Sequence, residues 1–313
     1  APIELALKNI HFPRSVQELK IARYRIVYEE LLVLQLYILL LKTTRNIQAS
    51  YRIEYKDQLR EFIDSLEYEL TDSQKSVIND IIRDMSKASP MQRLVQGDVG
   101  SGKTIVAFSA MYLTFLNGLQ SAIMVPTEIL AKQHYAAAIQ LFEPLGVNIR
   151  LLIGSTKKKE KEAIYEEITS GTCHMVIGTH ALIQDKVRFE KLALAITDEQ
   201  HRFGVKQRNA LYSSYNMMPH ILVLTATPIP RTLSLIIQGD LDVSSITQLP
   251  KWRIPIETLV IEQKLRHKAY EKSLKEIEKG KQVYIVCPLV EESEEMDLHS
   301  AQELYTELKE EYY

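Results

Sequence analysis

The sequence predicts an α/β protein in which helices cover both faces of a parallel β-sheet. From about Leu70 onward, short apolar runs alternate with segments of helical periodicity, which is the pattern that β-α-β units produce. A glycine-rich motif lies between the first apolar run and the helical segment after it, the place of a phosphate-binding loop. The predicted strands contain the runs RLVQ (93–96), SAIMVPT (121–127), IRLLIG (149–154), HMVIGT (174–179), LALAIT (192–197) and HILVLTAT (220–227).

The composition is that of a soluble globular protein. The chain has 313 residues, of which 46% are hydrophobic and 25% charged, and it is long enough for about two domains. A net charge of −2 excludes a uniformly basic nucleic-acid coat but leaves room for a local basic patch. Cys173 and Cys287 are too far apart in sequence for a metal knuckle, which indicates a reducing compartment. The most apolar run, Leu31 to Leu41, is well short of the ~20 residues that span a bilayer.

Residues 1–67 are predicted to be helical and to form a linker segment. A helix is expected from about Ser15 to Thr44, because Ser15 is followed three positions later by Glu18, the pattern of a capping box. After Leu31, apolar residues occupy nearly all sides of this helix. We therefore expect it to be packed between other elements.

The region after the sheet, residues 246–313, is expected to hold a linker and part of a second α/β domain. Residues 239–258 contain two prolines and have the composition of a connector;. Beyond them we expect a helix from about Lys264 to Lys279, a strand in QVYIVCPLV (282–290) and a final helix. One or two such units bury too little apolar surface for a stable sheet, so we expect the chain to end within this second domain.

The glycine-rich motif matches G-x-x-x-x-G-K-[ST] at every position, after a predicted strand and before a predicted helix;. The backbone N–H groups of such a loop converge on phosphates at the positive end of the helix. Lys103 is expected to reach the β- and γ-phosphates, and the Thr104 hydroxyl to bind Mg²⁺. A glycine-rich turn that merely caps a helix is the alternative. The predicted nucleotide-binding residues here are Gly97, Asp98, Val99, Gly100, Ser101, Gly102, Lys103 and Thr104.

Two adjacent acids, Asp198 and Glu199, follow the apolar run LALAIT. A phosphate-binding loop needs a carboxylate at a neighbouring strand end. Asp198 is therefore expected to hold Mg²⁺, and Glu199 to activate the attacking water as a general base. The alternatives are a surface turn with solvated acids and a zinc site built on His201, which lacks a second His or Cys at ligand spacing;.

Two further stretches suit the same edge of the sheet. TATPIPR (225–231) follows the last predicted strand, so its hydroxyl groups would lie at the same edge of the sheet as Asp198. Upstream of the glycine-rich motif, Gln74 has an amide that could read the edge of an adenine. From the residues alone, helix caps and turns explain both stretches equally well.

Together, GDVGSGKT, PTEILAKQH, GTHALI, DEQH and TATPIPR resemble the motifs of superfamily 2 helicases in order and spacing. The longer stretches DEQHRFGVKQR and TATPIPRTL, with NIHFP before a long helix, are similar to the RecG family of bacterial ATP-dependent DNA helicases over essentially the whole chain. The resemblance implies a RecA-like motor domain over residues 68–245, with ATP and Mg²⁺ as cofactors. It implies branched DNA, such as stalled forks and Holliday junctions, as the substrate of a cytoplasmic monomer without a membrane role.

The resemblance also assigns roles to individual residues. Asp198, Glu199, Gln200 and His201 form the catalytic motif II, in which His201 links the ATP site to DNA binding. Tyr68 is the aromatic residue expected to stack beside an adenine-reading Gln74. The remaining positions, expected to contact DNA or to couple it to the ATP site, are Pro126, Thr127, Glu128, Gly178, Thr179, His180, Arg202, Lys206, Arg208, Thr225 and Thr227.

The chain also departs from the family pattern. RecG proteins carry an OB-type wedge domain upstream, of which residues 1–67 correspond only to the helical tail. Motifs IV to VI, including the arginine finger, are not found in the sequence. Two other functions stay open. One is a transcription-repair coupling translocase, which shares the RFGV loop but usually has Glu-Gln where this chain has Gln200-His201. The other is a nucleotide-binding switch that does not move along DNA.

Overall fold

The computed structural model describes residues 2–45, 49–184, 186–198, 217–226, 241–250, 256–287 and 301–311. The chain divides into two compact units, Ala1–Arg253 and Ile254–Tyr313. The helices of the first unit are α1 (Ile3–His11), α2 (Val16–Arg45), α3 (Asp57–Asp64), α4 (Asp72–Met85), α5 (Lys103–Leu116), α6 (Glu128–Phe142) and α7 (Lys158–Thr169).

The first unit is built on one seven-stranded sheet in which every pair of neighbouring strands is parallel. Its order is β3-β4-β2-β5-β6-β1-β7. Each of the six predicted apolar runs coincides with a strand, and the predicted α/β fold is confirmed. The strands are β1 (Gln92–Gly97), β2 (Gln120–Met124), β3 (Ile149–Leu152), β4 (Met175–Gly178), β5 (Leu192–Asp198), β6 (His220–Thr225) and β7 (Asp242–Ile246).

Helices cover both faces of the sheet, as predicted. Along β2, the side chain of Ile123 belongs to a large core that also contains residues of α4, α5 and α6. The alternate residues Ala122 and Met124 belong to a second core with Ile164 and Ile168 of α7. Successive side chains of a strand point to opposite faces, so a strand that is apolar at every position must be buried on both sides.

Strand β7 lies within the stretch that was predicted to be a connector. It pairs with β1 at the edge of the sheet and has the mixed sequence DVSSI. Its polar residues are accounted for by specific contacts. The guanidinium of Arg93 in β1 donates to the Ser244 hydroxyl at 2.6 Å and forms an ion pair with Asp84 of α4. Burial alone would raise the pKa of Asp84, but hydrogen bonds from Lys87 and Arg93 lower it, so the pair stays charged.

Helix α2 confirms the predicted helical segment. The backbone N–H of Glu18 donates to the Ser15 hydroxyl at 3.2 Å, which satisfies one of the free N–H groups at the helix start. The Glu18 carboxylate, however, accepts from the N–H of Arg14 rather than from Ser15. The second half of the predicted capping box is therefore displaced by one residue.

The expected burial of α2 is wrong for the described side chains. Its buried described residue is Ala22, which lines the same pocket as Ala6 where α1 and α2 meet. The apolar residues that suggested a clamped helix, among them Leu31, Val33, Leu36 and Leu40, are exposed. Their near-uniform distribution around the helix was the reason for expecting contacts on several sides. In the described part of the chain, α1 is the main element that packs against α2.

The second unit contains two described helices, α8 (Arg266–Glu278) and α9 (Ala301–Glu311). Both helices were predicted, and Tyr270, Leu304 and Leu308 form a small core between them. The predicted strand in QVYIVCPLV is not formed over its described residues 282–287. Tyr284 and Val286 are exposed there, and no strand of this unit is described with which they could pair.

Candidate functional site

The candidate site lies at the carboxyl edge of the sheet, where the adjacent strands β5, β6 and β1 end. In a parallel sheet all carboxyl ends share one edge, and ligands bind there. Strand β6 lies between β5 and β1. Thr225 is in register with Gln96, one residue before the glycine-rich loop, and Asp198 is in register with Leu224. The loop, Thr225 and Asp198 are thus brought to neighbouring positions, as predicted.

The loop after β1 has the backbone conformation that phosphate binding requires. Gly100 and Gly102 both adopt positive φ, of 76° and 83°, which side-chain-bearing residues adopt only with strain. Gly102 is the N-cap of α5, which begins at Lys103. The first N–H groups of this helix therefore point into the loop, together with the positive end of the helix dipole.

Lys103 folds back over the loop that precedes it. Its ammonium donates to the carbonyl oxygens of Gly97 at 2.8 Å and Asp98 at 3.0 Å. The buried Ser101 hydroxyl has no hydrogen-bond partner among the described residues. A buried unpaired hydroxyl beside a lysine and a helix N-terminus suits an anion. The loop therefore fits the phosphates of a nucleotide.

Gln74 is buried, and both ends of its amide are engaged. Its carbonyl accepts from the N–H of Thr71 at 2.7 Å, and Thr71 accepts in return from the N–H of Gln74. This is a complete capping box at the start of α4. The amide nitrogen of Gln74 donates to the Ser101 carbonyl of the loop at 2.8 Å. The helix-cap explanation is correct, and the same residue also supports the loop.

Tyr68 lies just before α4, with 44% of its surface exposed. Burial of its hydroxyl, followed by the nearby charge of Glu67, raises the pKa of Tyr68, so the ring is neutral at physiological pH. An exposed, neutral ring next to the Gln74 helix is available for stacking.

Asp198 ends β5 and is largely buried, with a side-chain exposure of 15%. Its carboxylate Oδ2 lies 3.3 Å from Nε2 of His134 in α6. Thr104 occupies the first turn of α5, half-buried. Several predicted site residues lie outside the described residues: Glu199, Gln200, His201, Arg202, Lys206, Arg208 and Thr227. The zinc site considered on His201 lies there too.

The residues predicted to contact DNA follow β2 and β4, which are neighbours in the sheet. Pro126 follows β2, and Thr127 caps α6 by accepting from the N–H of Leu130 at 3.3 Å. Gly178 ends β4, and His180 begins a short 3-10 turn. Thr179 is buried, and its hydroxyl has no partner within the described residues. This threonine faces the protein interior rather than an open surface.

Two contacts of the site were not predicted from the sequence. The Glu128 carboxylate accepts from both the N–H and the hydroxyl of Ser155, at 2.9 and 2.6 Å, and these bonds lower the pKa of Glu128. His134 contacts Asp198 from α6. Both Glu128 and His134 lie in the stretch PTEILAKQH, yet their partners are far away in sequence. The sequence placed both residues in one predicted helix but carried no signal for the partner of either.

Groups of three or more metal-ligating His, Cys, Asp or Glu side chains are absent from the described part of the chain. Proteins usually hold Mg²⁺ through one or two carboxylates together with substrate phosphates. A hydroxyl at Thr104 and a carboxylate at Asp198 are oxygen donors of that kind. Over the same residues, no helix is both long and apolar enough to cross a membrane.

Comparison with known proteins gives a consistent result. The model of the DEAD/DEAH box helicase family matches residues 71–236. The chain is 44% identical to the ATP-dependent DNA helicase RecG of Synechocystis sp. and 45% identical to that of Bacillus subtilis, over 99% and 97% of its own length. It spans only 38% and 45% of those two proteins. A structure of RecG bound to a three-way DNA junction matches with a TM-score of 0.84 and 40% identity, over 97% of this chain and 40% of that one.

Proposed function

Since the chain belongs to the DEAD/DEAH box helicase family, we propose that it forms the ATP-binding core of a RecG-type helicase that remodels branched DNA. The observation that carries the proposal is the loop from Gly97 to Thr104, with two left-handed glycines and Lys103 at the N-terminus of α5. The relatives named RecG, one of them bound to a three-way junction, support branched DNA as the substrate. We expect such an enzyme to act in the cytoplasm as a monomer.

The loop would hold the phosphates of ATP. The N–H groups at the start of α5 and the Lys103 ammonium supply the positive charge. Lys103 already lies over the loop, 2.8 Å from the Gly97 carbonyl, so a small rotation of its side chain exchanges carbonyl oxygens for phosphate oxygens. Tyr68 would stack on the base. To read the adenine edge, Gln74 would use the second N–H of its amide and the second lone pair of its carbonyl, since its hydrogen bonds with Thr71 and Ser101 take one of each.

Asp198 and Thr104 would hold Mg²⁺, whose charge offsets that of the phosphates. Glu199, beyond the described residues, would take the proton of the attacking water. Gln200 and His201 would complete the motif that links hydrolysis to DNA. Asp198 ends β5 and is largely buried, so the sheet holds its backbone at the edge where the phosphates would bind.

DNA would be bound along the other half of the same edge. Residues 126–128 and 178–180 follow the adjacent strands β2 and β4, so two successive contacts with the DNA backbone are possible from one surface. The side chain of Thr179 is buried, so this residue would take part only through its main chain. Arg202, Lys206 and Arg208 would carry the signal between the acids and that surface. Thr225, at the end of β6, would lie between the phosphate loop and Asp198, within the ATP half of this edge. Thr227 follows it outside the described residues.

Titration with methylanthraniloyl-ATP in Mg²⁺ tests the nucleotide site. Lys103→Ala should weaken binding roughly 10- to 100-fold, because hydrogen bonds to charged groups contribute about 1.5–3 kcal/mol each. Lys161 is a matched control, since its ammonium also donates to a loop carbonyl, that of Gly154 at 2.9 Å. Lys161→Ala should bind the nucleotide like the wild type. Equal affinity of Lys103→Ala and wild type would refute the assignment.

The motor function has its own criterion. A translocase couples hydrolysis to its track, so phosphate release by a helicase that carries this core together with motifs IV to VI should rise when forked DNA is added. The 313 residues alone should hydrolyse ATP negligibly, with or without DNA. A regulatory nucleotide switch would bind the nucleotide with the same Lys103 dependence but show no response to DNA.

A further inference from the structure

We propose that His134 is a positioning residue that fixes the Asp198 carboxylate for the metal. The inference rests on the proposed role of Asp198 in holding Mg²⁺. His134 Nε2 lies 3.3 Å from Asp198 Oδ2, although the two residues are 64 positions apart in the chain. The motif PTEILAKQH contains this histidine, but the function proposed above gives it no role.

The imidazole ring of His134 is held from two sides. Its side chain is 10% exposed, and its ring meets that of Phe108 edge-on at 6.2 Å between centroids. Phe108 is fully buried in α5, the helix that begins at Lys103. His134 therefore lies between the helix that starts at the phosphate loop and the strand that ends at Asp198.

A hydrogen bond from this ring restricts the carboxylate of Asp198. Without it, the carboxylate could rotate about its side-chain bonds, and binding a cation would cost the entropy of that freedom. Groups that hydrogen-bond to a metal-ligating carboxylate fix its orientation, and replacing them typically costs 10- to 100-fold in metal affinity. The hydrogen bond requires a donor at Nε2, so the size of the ring alone does not supply it.

The backbone of α6 sets the position of His134. Thr127 caps the start of this helix, and Glu128 is tied to Ser155 by two hydrogen bonds. The helix that begins at the predicted DNA-contacting segment thus also holds the metal-binding aspartate. An element of this kind is rigid, whereas a loop at this place would let the imidazole move.

The test is the Mg²⁺ dependence of methylanthraniloyl-ATP binding to this chain. Nucleotide affinity is measured while Mg²⁺ is titrated, and again in EDTA. His134→Leu keeps the approximate volume but removes the donor. It should raise the Mg²⁺ concentration for half-maximal binding by roughly 10-fold or more and leave the affinity in EDTA unchanged. The amide nitrogen of His134→Gln reaches about as far as Nε2. This variant should therefore reach half-maximal binding at a Mg²⁺ concentration close to that of the wild type.

Three further variants separate the possible outcomes. His174→Leu, at the opposite edge of the sheet just before β4, controls for the general loss of a half-buried histidine and should behave like wild type. Asp198→Asn should abolish the Mg²⁺ effect. If it does not, the proposed role of Asp198 and this inference fail together. If Asp198→Asn behaves as expected and His134→Leu is indistinguishable from wild type, the inference alone is overturned. Should His134→Leu not fold, His134→Asn, whose amide is too short to reach Asp198, replaces it with the same expectation.

Discussion

At the scale of single residues, His220 shows how burial fixes a protonation state. Its ring is fully buried at the start of β6. Nδ1 accepts from the N–H of Met91 at 2.9 Å, and Nε2 lies 2.6 Å from the Tyr51 carbonyl. The first contact requires a bare Nδ1, so the proton is on Nε2 and the ring is neutral. Burial lowers the pKa of His220 to about 4, although the Tyr51 carbonyl opposes this change.

This histidine should make the fold sensitive to acid. The pKa of His220 is lower in the folded than in the unfolded chain, so below about pH 6.5 the unfolded chain binds more protons and is favoured. The free energy of unfolding should fall by roughly 3 kcal/mol between pH 7 and pH 4 on account of this residue. His220→Asn should be less stable at pH 7 but should have a flatter pH dependence. Urea unfolding followed by circular dichroism at several pH values measures both.

The exposed His267 provides the comparison. His267→Asn should reproduce the wild-type pH dependence, because it leaves the buried ring of His220 unchanged. Parallel curves for wild type and His220→Asn would show that protonation of His220 does not drive the acid instability.

The positions of residues within local motifs could be predicted from the sequence, and their long-range partners could not. Lys103 and Thr104 follow a fixed spacing from Gly97, so the loop conformation determines where they lie. The contact of His134 with Asp198 depends on how α6 packs against β5, which the local sequence does not encode. The same is true of Gln74, whose amide nitrogen binds the Ser101 carbonyl 27 positions away.

At the scale of elements, the junction between the phosphate loop and α5 is sterically tight. Gly102 has φ of 83°, and a Cβ at this position would clash with the Gln74 amide nitrogen. Gly102→Ala should therefore destabilise the fold by at least ~1–2 kcal/mol from backbone strain. It should also weaken binding of the ATP analogue, because the displaced Gln74 no longer supports the loop. Thermal unfolding and nucleotide titration measure the two effects.

Gly118, after the end of α5, separates strain from collision. Its φ is 70°, and a Cβ there meets nothing within 4 Å. Gly118→Ala should show the strain cost alone and normal nucleotide affinity. If the two variants bound the nucleotide equally well, the contact between Gln74 and the loop would not contribute to nucleotide affinity.

The elements that were predicted correctly are those with strong, uniform patterns. The six predicted strands, β1 to β6, each contain a short apolar run, because helices bury both faces of the sheet. Strand β7 escaped prediction because its edge position allows polar residues, whose partners Arg93 and Asp80 lie elsewhere in the chain. For helix α2 the error was the opposite one, because burial was predicted and the described apolar side chains are exposed. Its apolar sequence indicated a buried helix, but composition does not reveal which surface, if any, covers it.

At the scale of the whole molecule, the order of the strands creates the site. The phosphate loop follows β1, the first strand in sequence, and Asp198 ends β5. Only β6 separates the two in the sheet. The sequence predicts parallel strands from their alternation with helices, but not the order β3-β4-β2-β5-β6-β1-β7. A shared edge for the loop, Thr225 and Asp198 could be expected from the parallel sheet and from the carboxylate that a phosphate-binding loop needs. The position of β6 between β1 and β5 could not.

The distribution of buried surface also predicts how the molecule opens. Strands β5 and β6 are buried along almost their whole length, and their amides should exchange with solvent only when the sheet unfolds. Helices α1 and α2 each have one buried residue among those described, Ala6 and Ala22. Local opening of such an element costs little, because few apolar contacts are lost.

Native-state hydrogen exchange read by mass spectrometry should show amides of α1 and α2 opening at least about 3 kcal/mol more easily than those of β5, roughly a 100-fold difference in exchange rate. Equal protection of α2 and β5 would mean that the apolar side chains of α2 are covered in solution. Repeating the measurement at tenfold lower protein concentration then identifies the cover, since protection that arises from self-association falls on dilution and protection from within the chain does not.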